Sequence, residues 1–597
     1  MKNKIIVCLM ILFGLGNQIY SQTSEFKILK EKVLTGKDGD DYWAYCYNQN
    51  LSYTDTVKLW NKDLVSPYKN SLLFLIDDNP FSDWTHSCRY IFYNIQNGEY
   101  EIIQETHPPK LFDKFQLLSE VTIPTGEKYD FSKYITKSET GLKSAISPGD
   151  ASYGYKYAVI ISGGYNKTNN HERYWNHCQA IYNALRYNYD FEHHQIFVLM
   201  SDGWETGADR HLISGGYDDS PRDLDGDGTT DVTNKATKAA ITSVFDMLGE
   251  WMLPNDFLYV YVTDHGGTEG GSDATIALWD EQEIRDDEFA TELNKVNAGK
   301  IMLTMVQCYS GGFIDDLVGT NRIITTSCRD DESARARPDL TYSEFVYHWT
   351  AGVFGEYPDG TTANADANSD GFVSMEEAHD FAEANDMYAH GSGASEHPQY
   401  SSTPTTLGGQ LTLFGFEINS NLQNITINSG EEQKHYAYNI SVAGDGTNYT
   451  VKDGGRSYLK AGNSIVLEPG FSAELGSEFQ AFIEPFTIPV FTATSSLKSA
   501  EVGNSSSQVN LNEDSKNLEF FEDISVFPNP SSGLFYFLNK NDTELKINVY
   551  NSSGSLIISE KVTSNRWVID ISNQPTCIYF LKLFSNHKSV TKKLIKQ

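Results

Sequence analysis

Between residues 157 and 327 five short, mainly apolar runs alternate with stretches of helical spacing, and this alternation restricts the fold more than any other feature of the chain. The runs are Tyr157-Ala-Val-Ile-Ile-Ser-Gly-Gly, Gln195-Ile-Phe-Val-Leu-Met, Phe257-Leu-Tyr-Val-Tyr-Val-Thr, Lys300-Ile-Met-Leu-Thr-Met-Val and Arg322-Ile-Ile-Thr-Thr-Ser. None shows the apolar–polar alternation of a strand with one wet face, so each reads as a strand buried on both sides. Between them, Arg173 to Leu185 and Asn234 to Leu253 have helical spacing, the latter with Ala239, Ile241, Val244, Phe245 and Leu248 on one side. Strand alternating with helix predicts a parallel α/β sheet. We place this domain at 151–415.

Two of the strand ends carry chemistry. The third run continues into Thr263-Asp-His265-Gly-Gly and the fourth into Val306-Gln-Cys308-Tyr-Ser-Gly-Gly. In an open α/β sheet ligands bind at the carboxyl ends of the strands, so both side chains belong on one rim. A thiol ionises near pH 8.5 unless a cation or helix N-terminus lowers it, and an imidazole beside it supplies that help. The thiolate can attack an amide carbonyl, and the imidazole can return a proton to the leaving amine. Backbone N–H groups at Gly266 and Cys308 are placed to face the developing oxyanion. A lone buried Cys is usually inert core. The pair, each at an apolar strand end followed by glycines, points to a nucleophile and its base.

An apolar strand ending in Asp-His-Gly, with another ending in Cys-x-Ser-Gly some 40 residues later, resembles the legumain and GPI-transamidase family of cysteine peptidases. The likeness covers about 155–400, including the first strand and the helix after it. It implies the fold shared by caspases and gingipains, a His265–Cys308 dyad, an oxyanion hole at Gly266 and Cys308, and no catalytic metal. A family Asn after the first strand, which orients the His, falls at Asn170. Two departures bear on specificity. The family has Glu two residues before the nucleophile, where this chain has Val306, and the family's Arg-His pair at the helix start falls at Glu172-Arg173. Arg173 and the acidic run Asp330-Asp331-Glu332 either line a different pocket or, for the acidic run, form a solvated loop.

The chain has 597 residues, more than one core can organise, so about three to five domains are expected. Met1-Lys-Asn-Lys and the apolar run after it read as a signal peptide over 1–22; the run is too short for a permanent membrane anchor, and no other segment has the length and apolarity to cross a bilayer. Residues 23–150 read as a β-rich domain: propeptide, binding module or packing support. Residues 418–487 repeat a short strand–turn rhythm, and 488–522 read as a linker. The segment 523–597 carries Val526-Phe-Pro-Asn-Pro-Ser-Ser-Gly, Leu545-Lys-Ile-Asn-Val-Tyr-Asn-Ser-Ser-Gly and Cys577-Ile-Tyr-Phe-Leu-Lys-Leu, then a basic tail. It resembles the C-terminal sorting domain of the type IX secretion system, with Cys577 where that family usually has Gly. A C-terminal β-sandwich, secretion through the periplasm to the outer surface or beyond, and the secretion machinery as a partner are implied.

Asp366-Ala-Asn-Ser-Asp-Gly-Phe-Val-Ser-Met-Glu-Glu377 fits a 12-residue EF-hand loop. Asp366, Asn368, Asp370, the Phe372 carbonyl, Ser374 and Glu377 fall at the liganding positions, with Gly371 at the sharp turn. A shorter loop offers Asp223, Asp225, Asp227 and Asp231; it is either a second calcium site or a run of Asp-Gly turns. Both are expected to brace rather than catalyse. The net charge of −34 argues against nucleic acid, which demands basic patches. The six cysteines after residue 22 are too sparse for a disulfide framework, though Cys46 and Cys88 could bridge. The expected function is a secreted cysteine endopeptidase acting on protein or peptide. The alternatives are a silent pseudo-peptidase that binds at the surface, and a transpeptidase in which an amine captures the same acyl-enzyme.

Overall fold

The computed structural model describes residues 27–34, 42–484 and 524–596, apart from 60–61, 79–86, 108, 110–113, 119–125, 129–153, 271–272, 392, 528–530, 532, 540–544, 552–554, 563–565 and 586–587. The signal peptide and the linker expected from the sequence lie outside these residues. The chain divides into two compact units, Met1–Thr125 and Gly126–Gln597.

The first unit is an antiparallel sheet of five strands in the spatial order Tyr100–Glu105, Cys88–Asn94, Ser71–Asp77, Trp43–Tyr47 and Phe115–Leu117. Leu73, Leu75, Tyr90 and Phe92 fill one face, and Phe74, Ile76 and Ile91 the other. Cys46 lies on the second face and Cys88 on the first, with a strand between them. Strands are about 4.8 Å apart, so a separation of two strands exceeds the reach of a disulfide. Neither cysteine forms a disulfide, which excludes the bridge.

The second unit is built on a seven-stranded sheet: β1 (Lys156–Ser162), β2 (Ile196–Met200), β3 (Val232–Asn234), β4 (Phe257–Val262), β5 (Lys300–Met305), β6 (Arg322–Thr326) and β7 (Gln399–Thr403). Their spatial order is β3-β2-β1-β4-β5-β6-β7, parallel except for β7, which pairs antiparallel with β6. The order of winding reverses between β1 and β4, and such a switch point is where an open α/β sheet takes its ligands.

Helices cover both faces. Ala158, Ile160, Tyr259 and Tyr261 face α1 (Glu172–Tyr187), α4 (Glu344–Phe354) and α5 (Met375–Asn385). Tyr157, Val159, Ile161, Leu258, Val260 and Val262 face α2 (Lys238–Trp251) and α3 (Asp286–Leu293). Alternate residues of one strand thus feed two cores, which is why the strands read as unbroken apolar runs. α2 starts at Lys238, with Thr237 Oγ1 accepting from Ala240 N at 3.3 Å. Its buried stripe is Ala240, Ile241, Val244, Phe245 and Leu248, whereas Ala239, expected on that side, is exposed.

After β7 the strands Glu417–Leu422, Glu432–Val442, Arg456–Leu467 and Glu478–Ile483 pair in parallel, and Ile425–Ile427, Tyr449–Val451 and Phe471–Ala473 form a second parallel sheet. Glu432 pairs with Arg456 and Arg456 with Glu478, spacings of 24 and 22 residues (456 − 432 and 478 − 456). This is a short solenoid, each rung burying its apolar face on the next. The last segment forms two antiparallel sheets, one of three strands and one of four, enclosing a core of Phe535, Phe537, Ile547, Val549, Ile569, Leu581 and Leu583. It is the expected β-sandwich.

Candidate active site

Register sets the site. Val262, the last residue of β4, pairs with Met305 of β5 on one side and Ile161 of β1 on the other. Three residues beyond that level on the two neighbouring strands lie His265 and Cys308, both buried, with 1% and 0% of their surface exposed. Gly266 runs so close to the second strand end that a Cβ on it would lie 2.1 Å from the Cys308 carbonyl oxygen. Only glycine fits there.

The chain turns outward at Gly266 into a hairpin sheet of Gly266–Gly270, Asp273–Leu278 and Gln282–Arg285. Gly266 pairs with Ile276, and Ala277 N donates to His265 O at 3.0 Å. In an antiparallel ladder this makes Gly266 and Ile276 a non-hydrogen-bonded pair, so the Gly266 N–H is directed away from the hairpin. On the other strand, Tyr309 has φ +59°, a left-handed conformation that costs a bulky residue about 1 kcal/mol or more. Its N–H donates to Glu332 O at 2.8 Å. Gln307, between Val306 and Cys308, has both amide atoms buried without a hydrogen-bond partner. A native interior tolerates few such groups, and this one has capacity for water or ligand next to Cys308.

The loop after β1 holds the imidazole. Asn166 accepts from Asn169 N at 3.1 Å and Asn170 N at 2.9 Å through its carbonyl. This tight turn presents the Asn169 carbonyl 2.8 Å from His265 Nε2. A carbonyl only accepts, so Nε2 carries the proton and Nδ1 is the basic nitrogen. Nδ1 is met at 3.1 Å by the Tyr174 hydroxyl, which accepts in turn from Arg173 Nη2 at 3.2 Å. The Arg173 guanidinium also lies 4.8 Å from the centre of the Tyr174 ring. Asp264 ties the ends of β1 and β4 together: its carboxylate accepts from Gly164 N and from His265 N.

Of the residues expected from sequence, His265, Gly266 and Cys308 therefore meet at one rim. Asn170 commits its amide to Ser201 Oγ at 2.8 Å and Asp209 O at 2.9 Å, and so supports the loop rather than the ring. Arg173 acts through Tyr174. Val306 is core, packed with Tyr261 and Tyr342. The acidic run splits: Asp330 and Asp331 are exposed, whereas the Glu332 carboxylate accepts from His397 N at 2.9 Å and pairs with Arg329 at 2.7 Å. Asn169, Tyr174, Asp264 and Gln307 were not singled out. Tyr174 sits on the core side of an amphipathic helix, and Asn169 works through its backbone, so side-chain patterns carry no sign of either.

Two neighbouring histidines are held neutral. Burial, aided by the charges of Arg173, His265 and His211, holds His171 well below its usual range. Burial and Arg173 do the same to His177, whose Nε2 accepts from Ser343 N at 2.8 Å. The other thiols nearby are poor nucleophiles: burial pushes Cys178 up to about 12 and Cys328 up to about 11.

Residues 156–345 match the model of the Peptidase C13 family. The central domain is a Peptidase C13 domain. Residues 525–597 match the secretion system C-terminal sorting domain, which marks the chain for secretion. Solved structures similar to the chain include a protein of Geobacter sulfurreducens (10% identity, 44% of this chain and 98% of that one, TM-score 0.26). Caspase-1 of Spodoptera frugiperda is another (11% identity, 42% and 87%, TM-score 0.25). No curated protein sequence matches the chain. Among the described residues no helix is long and apolar enough to cross a membrane.

The shorter acidic loop lies within the residues matched by the C13 model, and the longer, 366–377, follows them. In the longer, Gly371 has φ +89°, which the sixth position requires. Asp370 N and Gly371 N donate to the Asp366 carboxylate at 3.1 and 2.9 Å, and Phe372 N to Asp370 at 3.0 Å. Glu377 accepts from Ser374 N at 2.9 Å and Asn368 N at 3.2 Å, closing the loop onto α5. In the shorter, Asp223, Asp225 and Asp227 bring one carboxylate oxygen each within 4.8 Å of the others. Asp225 Oδ2 is buried without a hydrogen-bond partner, although Arg186 Nε lies 3.5 Å away. Burial, Asp231 and Asp227 push the Asp225 carboxyl up to about 6. Asp231 differs: Tyr182 Oη (2.7 Å) and Leu224 N (2.5 Å) engage its two oxygens, and it braces α1.

Proposed function

We propose that the chain is a secreted cysteine endopeptidase in which Cys308 is the nucleophile and His265 the acid–base partner. The register that brings two neighbouring strand ends level, with Gly266 pressed against the Cys308 carbonyl, is the observation that carries this reading. The Tyr174 hydroxyl, which occupies His265 Nδ1 at rest, must first swing aside; Cys308 Sγ–H then passes its proton to Nδ1, and the thiolate adds to the carbonyl carbon of the scissile amide. The Gly266 and Cys308 N–H groups take the oxyanion. His265 then returns the proton to the leaving amine, and water, deprotonated by the same imidazole, releases the acyl group. Asn169 and Tyr174 hold the ring in the tautomer that this sequence needs.

The burial of both dyad residues adds a requirement. Substrate reaches Sγ only after the covering groups move, so activation by opening or by removal of N-terminal residues belongs to this reading. The route of export is through the periplasm, with the sorting domain read by the type IX machinery.

Both acidic loops fit a hard divalent cation, since every donor is oxygen. Asp366, Asn368, Asp370, the Phe372 carbonyl, Ser374 and Glu377 would hold one calcium, and Asp223, Asp225 and Asp227 another. Each ion would supply structural bracing, at the start of α5 and beside α1.

The test is cleavage of a mixed-sequence fluorogenic peptide library in calcium buffer, before and after removal of N-terminal residues, with Cys308→Ala alongside. Cleavage by the wild type alone establishes the nucleophile. Cleavage by neither form, or by both, sinks the assignment, and amine-trapped products would reassign the reaction as transfer.

A further inference from the structure

The strands that carry the dyad at their carboxyl ends begin at the opposite edge of the sheet, and that edge is occupied by the sorting sandwich. Tyr536 and Leu538, from the strand Leu534–Asn539, are 2% and 6% exposed and belong to the same apolar cluster as Tyr157, Phe197 and Trp251 of the C13 domain. The Tyr536 ring lies 4.4 Å from Trp251 and 5.2 Å from Phe197, and its hydroxyl donates to His194 O at 2.8 Å. Beside it, Arg566 Nη1 lies 2.5 Å from Asp256 Oδ2, with side chains 5% and 1% exposed. Asp256 also accepts from Tyr155 N and Leu253 N, each at 2.7 Å, and the Arg566 guanidinium stacks 4.9 Å from the Tyr155 ring.

Surface contacts between a tag and its cargo are wet and replaceable. This one buries a tyrosine in the cargo's own core and pairs a desolvated arginine with a desolvated carboxylate. Breaking a buried pair by removing one partner leaves an uncompensated charge, so the pair holds tightly or not at all. A cavity of about 540 Å³, lined by Lys156, Trp251, Arg566 and Trp567, opens alongside, so the contact rests on few anchors.

We propose that the sorting domain is a bound subunit of the catalytic domain, held by its three-stranded sheet through Tyr536 and Arg566, and that it stays in place when the segment joining them is cut. A partner that reads the folded chain then meets the other sheet, Leu545–Tyr550, Leu556–Val562, Ile578–Ser585 and Lys588–Ile595. The inference is independent of whether the dyad is active.

The test uses the full chain with a site-specific protease sequence inserted between residues 490 and 515. After cutting, the wild-type fragments are expected to co-elute in gel filtration as one species of the uncut mass. Arg566→Glu, which sets a carboxylate against Asp256, is expected to release the sandwich, with circular dichroism showing the released domain folded. Asp256→Asn leaves the sorting domain untouched and is expected to raise the dissociation rate at least tenfold. Separation of the wild-type fragments on cutting overturns the proposal. So does unchanged co-elution and dissociation in both variants, since the domain would then be held elsewhere.

Discussion

The two edges of the central sheet are built to opposite standards. At the starting edge, Asp256 has a partner for each oxygen, Tyr536 is packed on Trp251 and Phe197, and no backbone is bent out of its usual range among the residues named there. At the finishing edge, three residues past the same strands, Tyr309 is left-handed, Gln307 has a buried amide without a partner, and Gly266 crowds the Cys308 carbonyl. One set of strands supports both. Both features occur elsewhere in the fold, but beside His265 and Cys308 a later partner can repay them. The stable edge supplies the rigidity that lets the other persist.

The strongest attack on this contrast is at the finishing edge. Cys308→Ala or His265→Ala is expected to lower kcat/KM by about 10³-fold or more, with the melting temperature barely moved, measured on whichever peptide the library selects. A large loss of stability would show the dyad to be core, and the contrast would fall.

Next in size is the starting edge. Arg566→Glu is expected to cost about 3–5 kcal/mol of docking free energy. Turnover per catalytic domain should be unchanged, since the dyad lies at the other end of the strands. A matching fall in kcat would mean that the two edges are coupled.

Tyr174→Phe sharpens the finishing edge itself. A hydrogen bond to the catalytic ring is worth about 1.5 kcal/mol, so kcat is expected to fall roughly tenfold with KM unchanged. The pH profile of Cys308 alkylation should shift as well. An unmoved profile with a lower kcat would make Tyr174 packing only.

The smaller effects concern the frame. Calcium held a hundredfold above its dissociation constant adds about 2.7 kcal/mol per site, so chelation should lower the melting temperature and Glu377→Gln should reduce the shift. Acid should also loosen the fold. Burial lowers His379 and His194 to about 4 in the folded chain, against about 6.5 unfolded, so their contribution is complete above pH 6.5 and is lost as pH falls towards 4. Melting scans from pH 7 to 4 measure it.

Much of the fold could be read from residues alone, for identifiable reasons. β1, β2, β4, β5 and β6 are buried on both faces, so their apolar runs survive any reading of periodicity. β3 and β7 were missed because both lie at the edges of the sheet, and Val232-Thr-Asn and Gln399-Tyr-Ser-Ser-Thr carry little apolar signal. The hairpin from Gly266 was missed because its glycines read as a loop. That His265 and Cys308 share one rim was legible because each follows an apolar run by a few residues, and those runs pair as neighbouring strands. The Asn169 carbonyl was not, since a backbone group has no residue identity, and Arg566 meets Asp256 across 310 positions that no local pattern spans.

None of the six described cysteines forms a disulfide, and Cys46 and Cys88 are kept apart by an intervening strand. The architecture thus owes nothing to oxidation. Reductant can be present from lysis to assay without breaking a structural bridge, and a drop in activity on storage that dithiothreitol reverses would report oxidation of a thiol rather than unfolding.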